Sequence, residues 1–279
     1  MDQLGKVTLS TITLLGHQIT FNPITFIMTW VSMALILFLA YIATKNLKVI
    51  PGKAQSIFEL IHDFLYDITV STLGDKDGRK YFPFILTLFV FILLANWIGI
   101  FPNVFQFAGM LIAGIHKVFG GPVEFANMAF SVSPDVWYSF LLDAPGIQEP
   151  TRSVNTDLAL AILVFIACQA YGIKSKGLWQ YIRNFADDPF PMKGPLILLF
   201  FINPFFYLNL IGLVANVVSH SFRLFGNIFG GFMIVVIVSW LTKFFLVPVG
   251  LLAFFGLFAG LVQAFVFTML AVTYIQQQQ

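Results

Sequence analysis

The fold is decided by residues 205–242, FFYLNLIGLVANVVSHSFRLFGNIFGGFMIVVIVSWLT, which contain no proline and a single charged side chain, Arg223. As one helix, this stretch would be about 57 Å long, nearly twice the ~30 Å hydrocarbon core of a bilayer. It therefore either breaks into two spans or forms one helix tilted far beyond the usual ~20°. A second long apolar segment, residues 248–275, is expected to return across the membrane.

Composition places the rest of the chain in a membrane as well. Of the 279 residues, 58% are hydrophobic and 10% are charged, with a mean hydropathy of +0.88, whereas a soluble domain carries about a quarter charged residues. The sequence predicts an all-α, polytopic membrane protein with about five membrane helices, the last two long and strongly tilted, plus one amphipathic interfacial helix. A net charge of +2 and scattered histidines give no indication of nucleic-acid binding, a metal or a cofactor.

We expect one membrane domain over residues 1–279. Its parts, in chain order, are an outer N-terminal tail (1–23), span 1 (24–44), an amphipathic surface helix (56–70), span 2 (82–101), an outer loop (103–153), span 3 (156–173) and a tilted helical hairpin (205–242 and 248–275). The surface helix has one charged face and is too polar to span, and a polar turn at 74–80 is expected to end it. Residues 105–119 are apolar but too short to cross, which predicts a re-entrant or interfacial piece.

Lysine and arginine are distributed unevenly along the chain. Ten of the fifteen lie in the loops at 45–80 and 174–193, and four lie in the N-terminal tail, the long loop and the last turn. Because positive charge favours the inner side, we expect these two basic loops and the C-terminus inside and the N-terminus outside.

Arg223 has no acidic partner nearby in the sequence. All thirteen Asp and Glu residues lie at or before Asp188. Arginine does not lose its proton, and placing it at bilayer depth costs at least ~2.5–3.5 kcal/mol on insertion scales. Either a distant Asp of this chain reaches it or another protein supplies the counter-charge, and we favour the second.

A polar stripe accompanies this arginine on the same helix. Steps of three, four and seven residues bring eight small or polar side chains onto one face: Asn209, Asn216, Ser219, His220, Arg223, Asn227, Gly230 and Gly231. The stripe indicates a side that faces water or another protein. The alternative for four glycines with Gly-xxx-Gly spacing, Gly226, Gly230, Gly256 and Gly260, is close helix packing. The alternative for His220 is an ordinary polar packing role.

Four motifs resemble a known family. Residues 221–231, SFRLFGNIFGG, closely resemble the arginine motif of subunit a of F-type ATP synthases of the bacterial type. Residues 263–270, QAFVFTML, resemble the family's last-helix signature. Residues 96–102, NWIGIFP, look like the end of its second span, and residues 150–161, PTRSVNTDLALA, are similar to the entry of its third. The resemblance covers most of residues 24–275 in family order.

The resemblance implies a stator ion-channel subunit in a bacterial inner (plasma) membrane, with no chemistry of its own. Two tilted helices would lie against a rotor ring of small c-type hairpin subunits, and a b-type peripheral-stalk subunit would be a further partner. Arg223 would face a carboxylate on each ring subunit, with Asn227 and Gln263 as polar neighbours. Two offset half-channels would carry H⁺ or Na⁺ and couple ion flow to rotation and ATP synthesis.

The sequence departs from the family pattern along the outer ion path. Phe232 stands where many members have Glu, Gly256 where His or Glu is common, and Asn209 where some members have Glu. Asp157, at the start of span 3, stands where the family usually has an uncharged residue. Two interpretations remain: Asp157 has taken over a role in the outer route, with Asn155 beside it, or it only caps the helix.

Two other functions fit a polytopic helical protein less well. A secondary ion transporter would normally show repeated halves and an internal counter-charge for its arginine, and the sequence shows neither. A non-conducting scaffold would explain the spans but not the polar stripe around Arg223.

Overall fold

The computed structural model describes residues 10–14, 17–45, 47–101, 103–121, 123–126, 129–132, 135–142, 149–187, 204–242 and 246–278. Its helices are α1 (Pro23–Thr44), α2 (Lys53–Trp97), α3 (Val104–Val118), α4 (Ser139–Leu142), α5 (Val154–Lys176), α6 (Leu178–Asp187), α7 (Pro204–Thr242), α8 (Leu246–Ala253) and α9 (Gly260–Gln276). Two 3₁₀ turns, Ile98–Ile100 and Pro150–Arg152, and a π-helical segment, Phe254–Ala259, complete the helical elements. The strands form two antiparallel hairpins, β1 (Ser10–Leu14) with β2 (His17–Phe21) and β3 (Val123–Ala126) with β4 (Ala129–Val132).

The predicted polytopic helical fold is confirmed. Among the residues that the structure describes, five stretches are long and apolar enough to cross a membrane: Pro23–Thr44, Gln55–Ile100, Val154–Lys176, Phe206–Thr242 and Gly250–Gln276. The two β-hairpins, which the sequence did not indicate, lie outside these stretches in the N-terminal segment and the 103–153 loop. Residues 105–119, expected as a short re-entrant or interfacial piece, coincide with α3.

Helix α2 folds back on itself at Gly74. This glycine has φ 79° and ψ 164°, a backbone conformation that residues with a Cβ rarely adopt. The rings of Tyr66 and Phe82 lie 5.2 Å apart, although the same positions on a straight helix would be about 24 Å apart. Residues 53–73 and 75–97 are therefore the two arms of a helical hairpin. The polar turn expected at 74–80 is confined to Gly74, because residues 75–80 are helical.

The first arm of this hairpin is part of the core. Leu65 and Leu73 are buried together with Phe82 and with Ile275 of α9. The amphipathic segment predicted at 56–70 is helical, but its apolar face packs against other helices of the chain as well as lining the membrane side.

Helix α7 is one uninterrupted helix of 39 residues, so the structure selects one of the two geometries that its length allowed. The following segment, residues 246–276, is helical throughout but changes to a π-helical winding at Phe254–Ala259, around Gly256. Pro248 lies in the first turn of α8, where a residue without an N–H is tolerated.

The core lies where α2, α5, α7 and α9 meet. Helix α9 packs chiefly on α2, and α7 packs chiefly on α5. One fully buried side chain from each helix marks this core: Ile85, Val164, Leu224 and Phe267. Apolar side chains on the outer sides of α5 and α7 are exposed, among them Ile166, Leu208 and Phe222, as expected for surfaces that contact lipid.

Candidate functional site

Arg223 is the central residue of α7 and its side chain is exposed. Ser219 and Gly226, one turn before and after it on the same side, are exposed too. Within the described part of the chain the arginine has no ion-pair partner, since the two ion pairs found there lie elsewhere. The bundle therefore presents a permanent cation at its surface, and a neutralising charge has to come from outside the described residues.

The polar stripe predicted around this arginine is divided between two sides of α7. Asn216, Ser219 and Arg223 are exposed; Asn209, Asn227 and Gly230 are half-buried; His220 and Gly231 are buried. Relative to a given residue, the position three residues on and the position four residues on lie to opposite sides, with about 100° between them around the helix. A stripe built from both spacings is therefore wider than one contact surface, and its edge turns into the protein.

His220 is a buried imidazole without hydrogen-bond partners. It is 2% exposed, and neither ring nitrogen is bonded to any described residue. Its ring packs edge-on against Phe267, with the two centroids 3.7 Å apart, and lies 5.7 Å from the ring of Tyr274. Because an unpaired buried polar group costs free energy, this ring is expected to bond with water or with a transient partner.

A cavity beside His220 provides room for water. It lies between α5, α7 and the C-terminal end of α9, and its polar lining residues are Gln169, Asn216, His220, Tyr274, Gln277 and Gln278. Its volume is about 40 Å³, enough for a few waters, and the lining offers them several hydrogen-bonding groups. Two members of the predicted stripe, Asn216 and His220, thus border a cavity with both polar and apolar lining in the membrane-spanning region.

Three side chains hold the π-helical segment in place. A π-helical winding interrupts the regular hydrogen-bond ladder and leaves backbone carbonyls open to other donors. The bonds run from Asn96 Nδ2 to the Gly260 carbonyl (3.0 Å), from Trp97 Nε1 to the Leu257 carbonyl (3.2 Å) and from Asn227 Nδ2 to the Ala259 carbonyl (3.3 Å). Asn227, expected as a polar neighbour of Arg223, is therefore fixed to the facing helical segment.

The register between α7 and the last helix brings Gln263 to the level of Arg223. Two contacts define this antiparallel register: Asn227 with Ala259, and His220 with Phe267. Gln263 lies midway between residues 259 and 267 on the same helix face, which puts it level with residues 223–224. It is 6% exposed, and its Nε2 has no partner among the described residues.

Asp157 is fully buried in the first turn of α5, and Asn155 beside it is exposed. Neither carboxylate oxygen accepts a hydrogen bond from a described residue, and α5 has no side-chain cap at Ser153. The geometry does not show the capping bond that one interpretation requires. A role in the outer route remains a prediction, because an unpaired buried carboxyl group needs water or an ion as its partner.

A further polar cluster, which the sequence did not indicate as a site, lies where α2 ends and α5 begins. Thr151 Oγ1 donates to Asn96 Oδ1 at 2.6 Å, and both residues are buried. Arg152 pairs with Glu149 at 3.9 Å. The Arg152 guanidinium also lies over the ring of Phe232, 4.4 Å from its centroid. Three of these residues, Asn96, Thr151 and Arg152, stand within the motifs at 96–102 and 150–161, but nothing in the sequence indicated that they meet.

Comparison with known proteins identifies the family of this site. The family model described as ATP synthase A chain matches residues 26–276. The chain belongs to this family. Similar members include ATP synthase subunit a of Desulforamulus reducens, 31% identical and covering 93% of this chain and 80% of the relative. Another is that of Moorella thermoacetica, 33% identical with 90% and 88% coverage. A sodium ion specific subunit a from Propionigenium modestum is 32% identical with 91% and 73% coverage.

As an ATP synthase A chain, the protein is an integral membrane, ion-translocating stator subunit of the F0 sector, with no catalytic role of its own. The relatives named are bacterial, in agreement with the bacterial type of the motifs. The arginine and glutamine motifs of the A chain meet in the structure at one level of the α7–α9 contact.

Proposed function

We propose that this ATP synthase A chain forms two offset half-channels that bring H⁺ or Na⁺ to the carboxylates of a rotating ring and carry the ions away on the other side. Ion flow would then drive ring rotation and ATP synthesis. The proposed partners are a ring of c-type hairpin subunits and a b-type peripheral-stalk subunit. The proposed location is a bacterial inner membrane, with the N-terminus outside and the C-terminus inside.

The observation that carries this proposal is the exposed, unneutralised Arg223 at the centre of α7. A stripe of exposed small and polar residues, Asn216, Ser219 and Gly226, continues along the helix beside it. Such a surface admits the close approach of another helix, and a carboxylate on that helix would supply the counter-charge.

The electrostatics of that encounter account for ion release. A positive charge within about 4–6 Å lowers the pKa of a carboxyl group by roughly 1–3 units, so a ring carboxylate passing Arg223 would give up its ion. Before it moves on into lipid, it must be neutralised by taking an ion from the other route. A fixed guanidinium also repels cations, which prevents a direct leak between the routes. Each charge that falls through 100 mV supplies about 2.3 kcal/mol.

The cavity beside His220 supports an inner route. It lies near the C-terminal end of α9, and Gln277 and Gln278 stand at its edge. From there, Asn216 and the unpaired His220 ring lead along α7 toward Arg223. An aqueous path of this kind would let an ion reach the ring carboxylate without crossing hydrocarbon.

A secondary transporter is not supported by any particular contact in the structure. Its arginine would pair with an internal acid during part of its cycle, and no described acidic side chain is within ion-pair distance of Arg223.

The test is ATP-driven ion pumping by inverted vesicles that contain the assembled synthase. Arg223→Ala should abolish pumping, and Arg223→Lys should abolish it or nearly so, because a compact ammonium lacks the fixed fork of the guanidinium. Lys174→Ala, which removes an exposed cation at the end of α5, serves as the control and should pump normally. Normal pumping by Arg223→Ala would refute the proposal. Adding Na⁺ to a Na⁺-free assay distinguishes the two coupling ions.

A further inference from the structure

Glu149 lies in a space that only a glycine leaves open. A Cβ added to Gly99, in the 3₁₀ turn after α2, would overlap the carboxylate of Glu149. The acidic group therefore rests directly on the backbone at the end of α2, although fifty residues separate the two positions. The Glu149 side chain is 17% exposed, so it contacts the interior of the bundle and still has access to water.

The same carboxylate is held from the other side by Arg152. The two groups lie 3.9 Å apart, and the Arg152 side chain is 23% exposed. Arg152 in turn covers the ring of Phe232 on α7. Phe232 is one of the two positions at which acids common in the family are missing.

The second such position is also next to this pair. A Cβ added to Gly256, in the π-helical segment, would overlap the side chain of Ile100, which follows Gly99 in the chain. Phe232 and Gly256, two of the positions where this chain departs from the family pattern, thus each contact a neighbour of Glu149: Phe232 contacts Arg152, and Gly256 lies against Ile100.

Buried polar groups lead inward from this place. Thr151, two residues after Glu149, donates to Asn96, and Asn96 donates to the Gly260 carbonyl. Gly260 is one turn from Gln263, whose Nε2 is unpaired and which lies level with Arg223. These two bonds bring buried polar atoms from the neighbourhood of Glu149 to within one helical turn of Gln263.

We infer that Glu149, positioned by Arg152 and by the space at Gly99, is the acidic relay of the outer route in this chain and replaces the acids missing at Phe232 and Gly256. This inference rests on the proposed half-channel function. In the H⁺ case, a hydronium ion transfers its proton to a Glu149 oxygen, which leaves water and forms an O–H bond. That bond breaks when the proton moves inward, and the carboxylate anion is restored. In the Na⁺ case, the carboxylate anion is a transient binding site for the ion.

The rival interpretation is an ion pair that only fastens the outer loop to the helices. Glu149→Gln separates the two, because the amide oxygen can still accept from Arg152 but the group can no longer ionise. We expect assembled Glu149→Gln synthase to pump at least about tenfold more slowly, as for loss of an acid–base group. Glu124→Gln, which changes an exposed acid of the same loop on β3, should pump normally. Wild-type pumping by assembled Glu149→Gln would overturn the inference.

Chemical restoration of the carboxylate distinguishes loss of the acidic group from a general disruption of folding or assembly. In an assembled Glu149→Cys synthase, iodoacetate attaches a carboxylate to the new thiol, whereas iodoacetamide attaches a neutral amide of similar size. Pumping should return with iodoacetate only, and equal recovery with both reagents, or recovery with neither, would contradict the relay role. The native Cys168 is buried, and wild-type synthase treated in parallel controls for it.

If Arg223→Ala abolishes pumping while Glu149→Gln does not, the relay fails and the proposed function stands; if Arg223→Ala pumps, the proposed function itself fails.

Discussion

At the scale of single residues, Asn96 joins three separate parts of the chain. It accepts from Thr151, which precedes α5, and donates to the carbonyl of Gly260 at the start of α9. Its side chain is 1% exposed, so water does not compete readily for these bonds. The amide thus fixes the π-helical segment relative to the end of α2.

Replacing Asn96 by leucine keeps its size but leaves the buried Thr151 hydroxyl without its acceptor and removes one donor from the Gly260 carbonyl. An orphaned buried hydroxyl costs about 1–3 kcal/mol. We expect the purified Asn96→Leu synthase to lose this subunit at a lower temperature than the wild type, measured by heating in detergent and analysing the remaining complex. Thr87→Val removes an exposed hydroxyl that bonds only within its own helix and should leave the transition unchanged. An unchanged transition in Asn96→Leu would show that these bonds are dispensable.

Individual residues of the site differ in how clearly the sequence reveals them. Arg223 could be found because one charge stands out within a stretch of 38 otherwise uncharged residues. Glu149 could not, because its position depends on the missing side chain of Gly99, and a glycine carries no signal about what occupies its space. Asp157 could be noticed as an acid in an apolar run, but its lack of partners is a property of three-dimensional packing.

At the scale of elements, α7 has two different faces at the same height in the membrane. Asn216 and Arg223 are exposed, whereas His220 and Leu224 are buried against α5 and α9. Another exposed residue, Val214, lies about 200° around the helix from Asn216 and only about 3 Å along it. The side chains at these two positions therefore point in nearly opposite directions at almost the same depth in the membrane.

This pair tests which face of α7 meets the proposed ring. A cysteine introduced by Asn216→Cys should form a disulfide with a cysteine engineered near the ring carboxylate, because Asn216 shares the side of Arg223. Val214→Cys, at a position that is also exposed, should not form it. The measurement is the yield of crosslinked product after mild oxidation, on gels of membranes with each pair. Similar yields from both variants would mean that the ring-facing side has been assigned wrongly.

The elements themselves were largely visible in the sequence. The helices around residues 24–44, 156–173 and 205–242 follow from apolar length, and the polar run at 74–80 marked a reversal of the chain. Only Gly74 has non-helical backbone angles at this reversal. The charged residues after it continue the helix, because their side chains reach water. The π-helical winding at Phe254–Ala259 had no signal, since residues 248–275 are apolar on all sides and do not reveal a change in helical period.

At the scale of the whole molecule, the asymmetry of basic residues predicts its orientation. Lys117 at the end of α3 and Lys174 near the end of α5 are both exposed. They belong to loops that the positive-inside rule assigns to opposite sides. A membrane-impermeant maleimide should therefore label Lys117→Cys in intact cells and label Lys174→Cys only in inverted vesicles. The reverse pattern would invert the assigned topology, and labelling of both in intact cells would contradict an inner location for the 174–193 loop.

The length of α7 has a consequence for rotation. Arg223 is its middle residue, with residues 204–222 on one side and 224–242 on the other, nineteen each. A helix of about 58 Å whose ends both reach the surfaces of a ~30 Å hydrocarbon layer leans by about 60° and runs sideways by roughly 50 Å. Beside a ring, that sideways run becomes an arc of the ring's circumference. In the proposed half-channel arrangement the two routes open toward opposite ends of this arc, on either side of Arg223, so the length of one helix sets the angle around the ring between the point of entry and the point of exit.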